Sequence, residues 1–149
     1  MKKPILLAIL ILSIIGLIFS VLILILHQNN AALHGICTID GSDSCLIVQE
    51  SAYSRMFGVD NSYFGIAGFL ALTILSFISL IKRYKLVNYA LIIGCILSGL
   101  FALWFLFAQI FLIRAFCIYC LVVDIASFVL MGIVLTHAGK KNSTVLPQK

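Results

Sequence analysis

Four long runs of apolar residues alternate with shorter polar segments along the chain. The runs cover residues 4–26, 63–81, 86–113 and 115–136. About twenty apolar residues in helical form cross a hydrocarbon layer roughly 30 Å thick, so each run predicts a membrane-spanning helix. The first run is longer than the apolar part of a secretory signal, about 7 to 15 residues, which favours a retained helix. The pattern therefore predicts an all-α integral membrane protein, a bundle of four transmembrane helices.

The long polar segment between the first two runs, residues 27–62, predicts an outer loop. Apolar residues recur in it with the spacing of a short amphipathic helix lying over the bundle: Leu46, Ile47, Val48, Tyr53, Met56 and Phe57. Gly58 favours the end of that helix. Asp60, Asn61 and Ser62 are candidates to cap the second transmembrane helix. We predict one membrane domain over residues 1–149, with a tail from residue 137 and no fused thioredoxin-like domain.

The composition supports this class. With 63% hydrophobic residues and a mean hydropathy of +1.21, the chain has too little polar surface to form a soluble globule. Its net charge of +5 indicates membrane topology and contact with anionic lipid. No cluster of aromatic and basic residues outside the apolar runs points to nucleic-acid binding.

The basic residues predict the orientation in the membrane. Of the ten Lys and Arg residues, most lie before the first run, between the second and third, or after the fourth: Lys2, Lys3, Lys82, Arg83, Lys85, Lys140, Lys141 and Lys149. By the positive-inside rule these segments face the cytoplasm. We therefore predict a multi-pass protein of the inner or plasma membrane with both termini cytoplasmic. The loop of residues 27–62 then faces the periplasm, the exterior or a lumen.

Four cysteines lie on this outer side, where disulfides persist. Cys37 and Cys45 are in the loop, and Cys117 and Cys120 open the fourth helix as a Cys-X-X-Cys pair. A helix N-terminus favours a thiolate, and the charge of Arg114 would add to this effect if its side chain points toward Cys117. The alternative for the helical pair is two buried cysteines acting as small hydrophobic residues. The placement predicts an electron relay.

The same four thiols suggest zinc as an alternative. However, Cys37 and Cys45 are eight residues apart, compared with about two to four in zinc motifs. No histidine lies at ligand spacing, and Leu121 stands where a c-type haem motif needs histidine. We therefore predict no metal. The fifth cysteine, Cys95, lies deep in the third run and is predicted to be a packing residue.

The ordered set of these elements resembles the vitamin K epoxide reductase family from about Leu6 to Leu135. The residues that carry the resemblance are Cys37, Cys45, Ser51, Phe57-Gly58, Asn61-Ser62-Tyr63-Phe64-Gly65 and Phe116-Cys117-Ile118-Tyr119-Cys120. The resemblance implies that the loop pair exchanges disulfides with a separate DsbA-like thioredoxin-fold protein. It also implies a mixed disulfide between Cys45 and Cys117, with Cys120 nearest a quinone. Such exchange needs close sulfurs and no metal.

The resemblance also assigns supporting roles. It implies that Asn61 donates a hydrogen bond to a quinone carbonyl and that Ser51 arranges the loop cysteines. The alternatives are a helix-capping asparagine and an ordinary loop serine.

One position departs from the pattern, because vertebrate members carry a tyrosine where this chain has Asp124. Asp124 should share a helix face with Cys117 and Cys120. Ionisable groups at such depth are costly and often functional. We therefore expect Asp124 to bind a quinone oxygen or to supply it with protons, the alternative being a structural hydrogen bond to a facing hydroxyl.

These features predict a membrane thiol oxidoreductase. Electrons would pass from the partner's thiols through two cysteine pairs to ubiquinone or menaquinone, supporting disulfide formation in exported proteins. One alternative is reduction of vitamin K or its epoxide with thiol donors. Another is a non-enzymatic scaffold or channel subunit whose outer disulfides only brace the loop.

Overall fold

Four long helices account for most of the part of the chain that the structure describes. A computed structural model describes residues 3–28, 47–48, 50–51, 55–56, 58–82, 84–114 and 117–143. The helices are α1 (Lys3–Gln28), α2 (Asn61–Ile81), α3 (Lys85–Phe107) and α4 (Ile118–Ser143), and a π-helix (Ala108–Ile113) continues α3. Two short strands, β1 (Arg55–Met56) and β2 (Val59–Asp60), pair antiparallel before α2.

The four helices close into a bundle in which each packs on the next and α4 packs on α1. All four are long and apolar enough to cross a membrane. Large apolar side chains cover their outer surfaces, with Phe77, Leu103 and Phe111 among the most exposed. Such a surface suits lipid contact and not water. The predicted all-α four-helix membrane bundle is confirmed.

The main apolar core fills the half of the bundle that contains the start of α1 and the end of α4. Its fully or nearly fully buried members are Leu6, Ile9, Phe69, Leu72, Leu91, Cys95, Leu130 and Val134. Cys95 has no exposed surface, which confirms its predicted packing role. Gly16 permits α1 and α2 to approach closely, because a Cβ atom there would overlap the ring of Phe69.

A smaller cluster closes the opposite end and contains Val48, Leu26 and Cys117. Ile47 and Val48 are helical, as predicted for the segment that lies over the bundle. Leu46, Tyr53 and Phe57 lie outside the described residues. This segment therefore covers the end of α4 at which the Cys-X-X-Cys pair lies.

The helical prediction is wrong at Met56, which belongs to the β1–β2 hairpin. Gly58 does not end a helix but lies in the hairpin turn with φ 79°, a left-handed conformation that glycine adopts without strain. An ion pair from Arg55 Nε to Asp60 Oδ1, 3.2 Å, joins the two strands. Asp60 stands at the N-cap of α2, as expected, but its side chain makes no capping hydrogen bond.

The last helix continues beyond its apolar run. The membrane-spanning part ends at His137, but α4 reaches Ser143 through the segment expected to be a tail. Hydropathy marks where a helix leaves the membrane, whereas the helix itself continues until its backbone hydrogen bonds stop. The two ends therefore need not coincide.

Candidate active site

The Cys-X-X-Cys pair forms the first turn of α4. The backbone N–H of Cys120 donates to Cys117 Sγ at 3.3 Å, and that of Leu121 donates to the Cys117 carbonyl at 2.9 Å. Cys117 thus occupies the N-cap position, with sulfur in place of the usual serine or aspartate oxygen. The sulfurs of Cys117 and Cys120 lie 2.7 Å apart. A disulfide bond is about 2.05 Å long, so the pair can close with little movement.

The two thiols differ in access. Cys117 is fully buried beneath Val48 and Leu26, whereas Cys120 is partly buried and lines a cavity. Cys120 is therefore the sulfur that a molecule in the cavity can reach.

The cavity has a volume of about 390 Å³ and is bounded by all four helices. Apolar side chains such as Phe64, Leu97 and Phe101 form much of its wall. Binding sites for small molecules are mostly apolar and have volumes of about 300–1,000 Å³. The cavity therefore has the size and character of a site for a lipophilic molecule.

Polar groups from several elements line this cavity. Asn61 comes from the start of α2, Gln109 from the π-helix, and Cys120 and Asp124 from α4. The three residues predicted to contact a quinone, Asn61, Cys120 and Asp124, thus line one cavity.

Gln109 connects the cysteine pair to the carboxyl group. Its Oε1 accepts the backbone N–H of Cys117 at 3.3 Å, and its Nε2 donates to Asp124 Oδ2 at 3.3 Å. Gln109 is 2% exposed and Asp124 5%. Asp124 therefore has an amide partner and not the hydroxyl that the structural alternative supposed. The apolar pattern of the third run did not indicate a role for Gln109, although an uncharged polar residue inside such a run is a signal for this kind of pairing.

The π-helix positions Gln109. Single π-helical turns widen a helix locally and often occur at functional sites. Here the segment buries Ala108 and Gln109 against the bundle and leaves Phe111 exposed. The wider turn thus accompanies a polar side chain that points inward at the level of Cys117.

Arg114 ends the π-helix in the left-handed conformation, with φ 56°. Its side chain is exposed. The residue lies at the turn between the third and fourth helices. Its predicted influence on Cys117 stays a prediction.

The outer-loop residues are described only in part. Cys37 and Cys45 lie outside the described residues, so their predicted exchange role stands as a prediction. Ser51 Oγ donates to the Val48 carbonyl at 2.8 Å, which places it beside the residue that covers Cys117. Within the described part of the chain, no three His, Cys, Asp or Glu residues form a group that could hold a metal ion.

A four-helix membrane bundle that holds a Cys-X-X-Cys pair at the wall of an apolar cavity fits the class of membrane oxidoreductases. The sequence profile of the Vitamin K epoxide reductase family matches residues 7–135, and the chain belongs to this family. Membership supports oxidoreductase activity that joins disulfide chemistry to a quinone-type electron acceptor. No curated protein matches the sequence significantly.

Proposed function

We propose that the protein oxidises the thiols of a separate DsbA-like thioredoxin-fold protein and passes the electrons to ubiquinone or menaquinone. This activity would support disulfide formation in exported proteins. The observation that carries the proposal is the position of Cys120, which lies beside Cys117 and lines the same cavity as Asn61 and Asp124.

The chemistry at the inner pair balances without a metal. Oxidation of the Cys117 and Cys120 thiols to a disulfide releases two electrons and two protons, and a bound quinone accepts both to become a quinol. The Asn61 amide is suited to bind a carbonyl oxygen, and the Asp124 carboxyl group is suited to transfer a proton at the cavity wall. Cys117 is itself fully buried, which limits access of water to this thiol.

The outer cysteine pair would reduce the Cys117–Cys120 disulfide after each round of quinone reduction. In this scheme the partner's thiols reduce the Cys37–Cys45 disulfide, and Cys45 then forms a mixed disulfide with Cys117. In each step a thiolate attacks one sulfur of a disulfide and the other sulfur leaves as a thiolate, so electrons move without another cofactor. The assignment rests on the family resemblance, and Ser51 would help to arrange this loop.

The orientation follows from charge. Lys3 at the start of α1, Lys82 after α2 and Lys85 at the start of α3 lie at the same end of an antiparallel bundle. A cytoplasmic position for this end puts Cys117 and Cys120 near the periplasm or exterior. The partner would then meet the protein in an oxidising compartment.

Quinone-dependent oxidation of a reduced DsbA-like protein by the detergent-solubilised chain tests the proposal. We expect wild-type turnover with the protein substrate and with a small dithiol. Cys120→Ala should lose both activities, whereas Cys37→Ala should lose only the first, and the core variant Cys95→Ala should keep both. Absence of quinol formation with every thiol donor would refute the proposal. Turnover with vitamin K epoxide as acceptor, but not with ubiquinone or menaquinone, would favour the alternative function of vitamin K epoxide reduction.

A further inference from the structure

The Gln109 side chain joins two parts of the site that are otherwise separate. One end of its amide meets the backbone of Cys117 in the dithiol, and the other meets Asp124 at the cavity. All three residues are at most 5% exposed. Buried polar groups in a membrane helix need partners, and these three satisfy one another.

The chemistry of the Cys117 backbone fixes the orientation of this amide. A backbone N–H can only donate, so the Gln109 oxygen must face it, which turns the amide nitrogen toward Asp124. That nitrogen can only donate in turn. Asp124 Oδ2 must therefore act as an acceptor whether or not the carboxyl group carries a proton.

A carbonyl oxygen accepts an N–H better than a hydroxyl oxygen does, so the bond from Gln109 favours a proton on Oδ1, the oxygen that Gln109 does not contact. We propose that Gln109 is a positioning residue that holds Asp124 Oδ2 as an acceptor and leaves Oδ1 to exchange the proton with the electron acceptor in the cavity. The inference rests on the proposed function, because it concerns the proton that accompanies quinone reduction. It adds a residue that acts through Asp124 and does not itself react.

Gln109 has a second contact, with Cys117, so a loss of activity alone would not identify its role. Gln109→Leu removes both contacts. Gln109→Glu keeps an oxygen that can accept the Cys117 N–H, but a second carboxyl oxygen replaces the amide nitrogen that donates to Asp124. Glutamate and Asp124 would then compete for one proton. The two variants separate an effect through Asp124 from an effect through Cys117.

A double-mutant cycle measures the coupling between Gln109 and Asp124. Quinol formation from a small dithiol is followed in wild type, Gln109→Leu, Asp124→Asn and the double variant. We expect each single change to lower kcat by about 10- to 100-fold with little effect on the KM of the dithiol. The double variant should be no slower than Asp124→Asn, and Gln109→Glu should also lose activity.

Ser13→Ala is the matched control. Ser13 is a buried polar residue that bonds to the Ile9 carbonyl of its own helix and does not line the cavity, so its loss should leave kcat unchanged. The inference would be overturned, with the proposed function intact, if the kcat losses of the two single variants multiplied in the double variant. A Gln109→Glu variant as active as wild type would have the same consequence. A wild-type chain that forms no quinol would overturn the proposed function and this inference together.

Discussion

Cys117 Sγ accepts the backbone N–H of Cys120 at 3.3 Å and also lies 2.7 Å from Cys120 Sγ. One atom thus caps α4 and belongs to the dithiol. Because both cysteines lie in the first helical turn, the backbone of that turn holds their Cα atoms at a set separation. This arrangement allows the structural role of the sulfur to be separated from its chemical role.

We predict that Cys117→Ser retains the stability of α4 and that Cys117→Ala does not. A serine oxygen can accept the Cys120 N–H, whereas alanine has no acceptor, so the serine variant should exceed the alanine variant by about 0.5–2 kcal/mol, the usual worth of an oxygen cap. Both variants should lose quinone reduction, since neither can form a disulfide with Cys120. Denaturant titration in detergent, combined with a quinol assay, tests this. Equal stability of the two variants would show that the sulfur is not an important cap.

We predict that Asp124→Asn slows quinol formation by at least about tenfold. Asparagine can still accept the hydrogen bond from Gln109 Nε2, so the packing should survive, but it has no proton to exchange. Thiol exchange between a small dithiol and the Cys117–Cys120 disulfide should keep its wild-type rate. Measuring the two half-reactions separately checks both expectations. Quinone reduction equal to wild type at every pH tested would exclude a proton-transfer role.

The sequence predicted the helices well because each membrane span is a long run that hydropathy detects. It did not predict the π-helix, since Ala108–Ile113 is as apolar as the α-helix before it. Hydropathy is the same for both kinds of turn. The hairpin at Arg55–Met56 was missed because two-residue strands are too short to show alternation.

Part of the site also followed from spacing. The interval from Cys120 to Asp124 is one helical turn, so helical periodicity places both on one face, and both line the cavity. The bond from Gln109 to Asp124 joins residues fifteen apart on different helices. Such a contact depends on how the third and fourth helices pack, which spacing alone does not reveal.

We predict that Asn61→Ala raises the KM for quinone by about tenfold, because one hydrogen bond to the acceptor is worth about 1–1.5 kcal/mol. The KM of the thiol donor should not change. Asn88→Ala is the matched control, since Asn88 accepts from Ser79 Oγ at 2.6 Å and does not line the cavity. It should lower stability without altering the KM for quinone. If Asn61→Ala and Asn88→Ala had the same KM for quinone, Asn61 would have no role in quinone binding.

The final prediction concerns the contact between α1 and α2. In Gly16→Ala, the new methyl group would overlap the ring of Phe69, which is 4% exposed and has little room to move. We expect a loss of about 1–3 kcal/mol in unfolding free energy, as for other overpacked cores. Phe69 also lines the cavity, so a displaced ring should change the KM for quinone as well.

Gly132→Ala provides the comparison, because nothing lies within 4 Å of a Cβ atom at that position of α4. Removing a helical glycine there should leave stability unchanged or raise it by up to about 1 kcal/mol. Unfolding in detergent and quinone kinetics of both variants test the contrast. If Gly16→Ala were as stable as Gly132→Ala, the close approach of α1 to Phe69 would not be a constraint on the bundle, and the cavity wall would be more adaptable than the packing indicates.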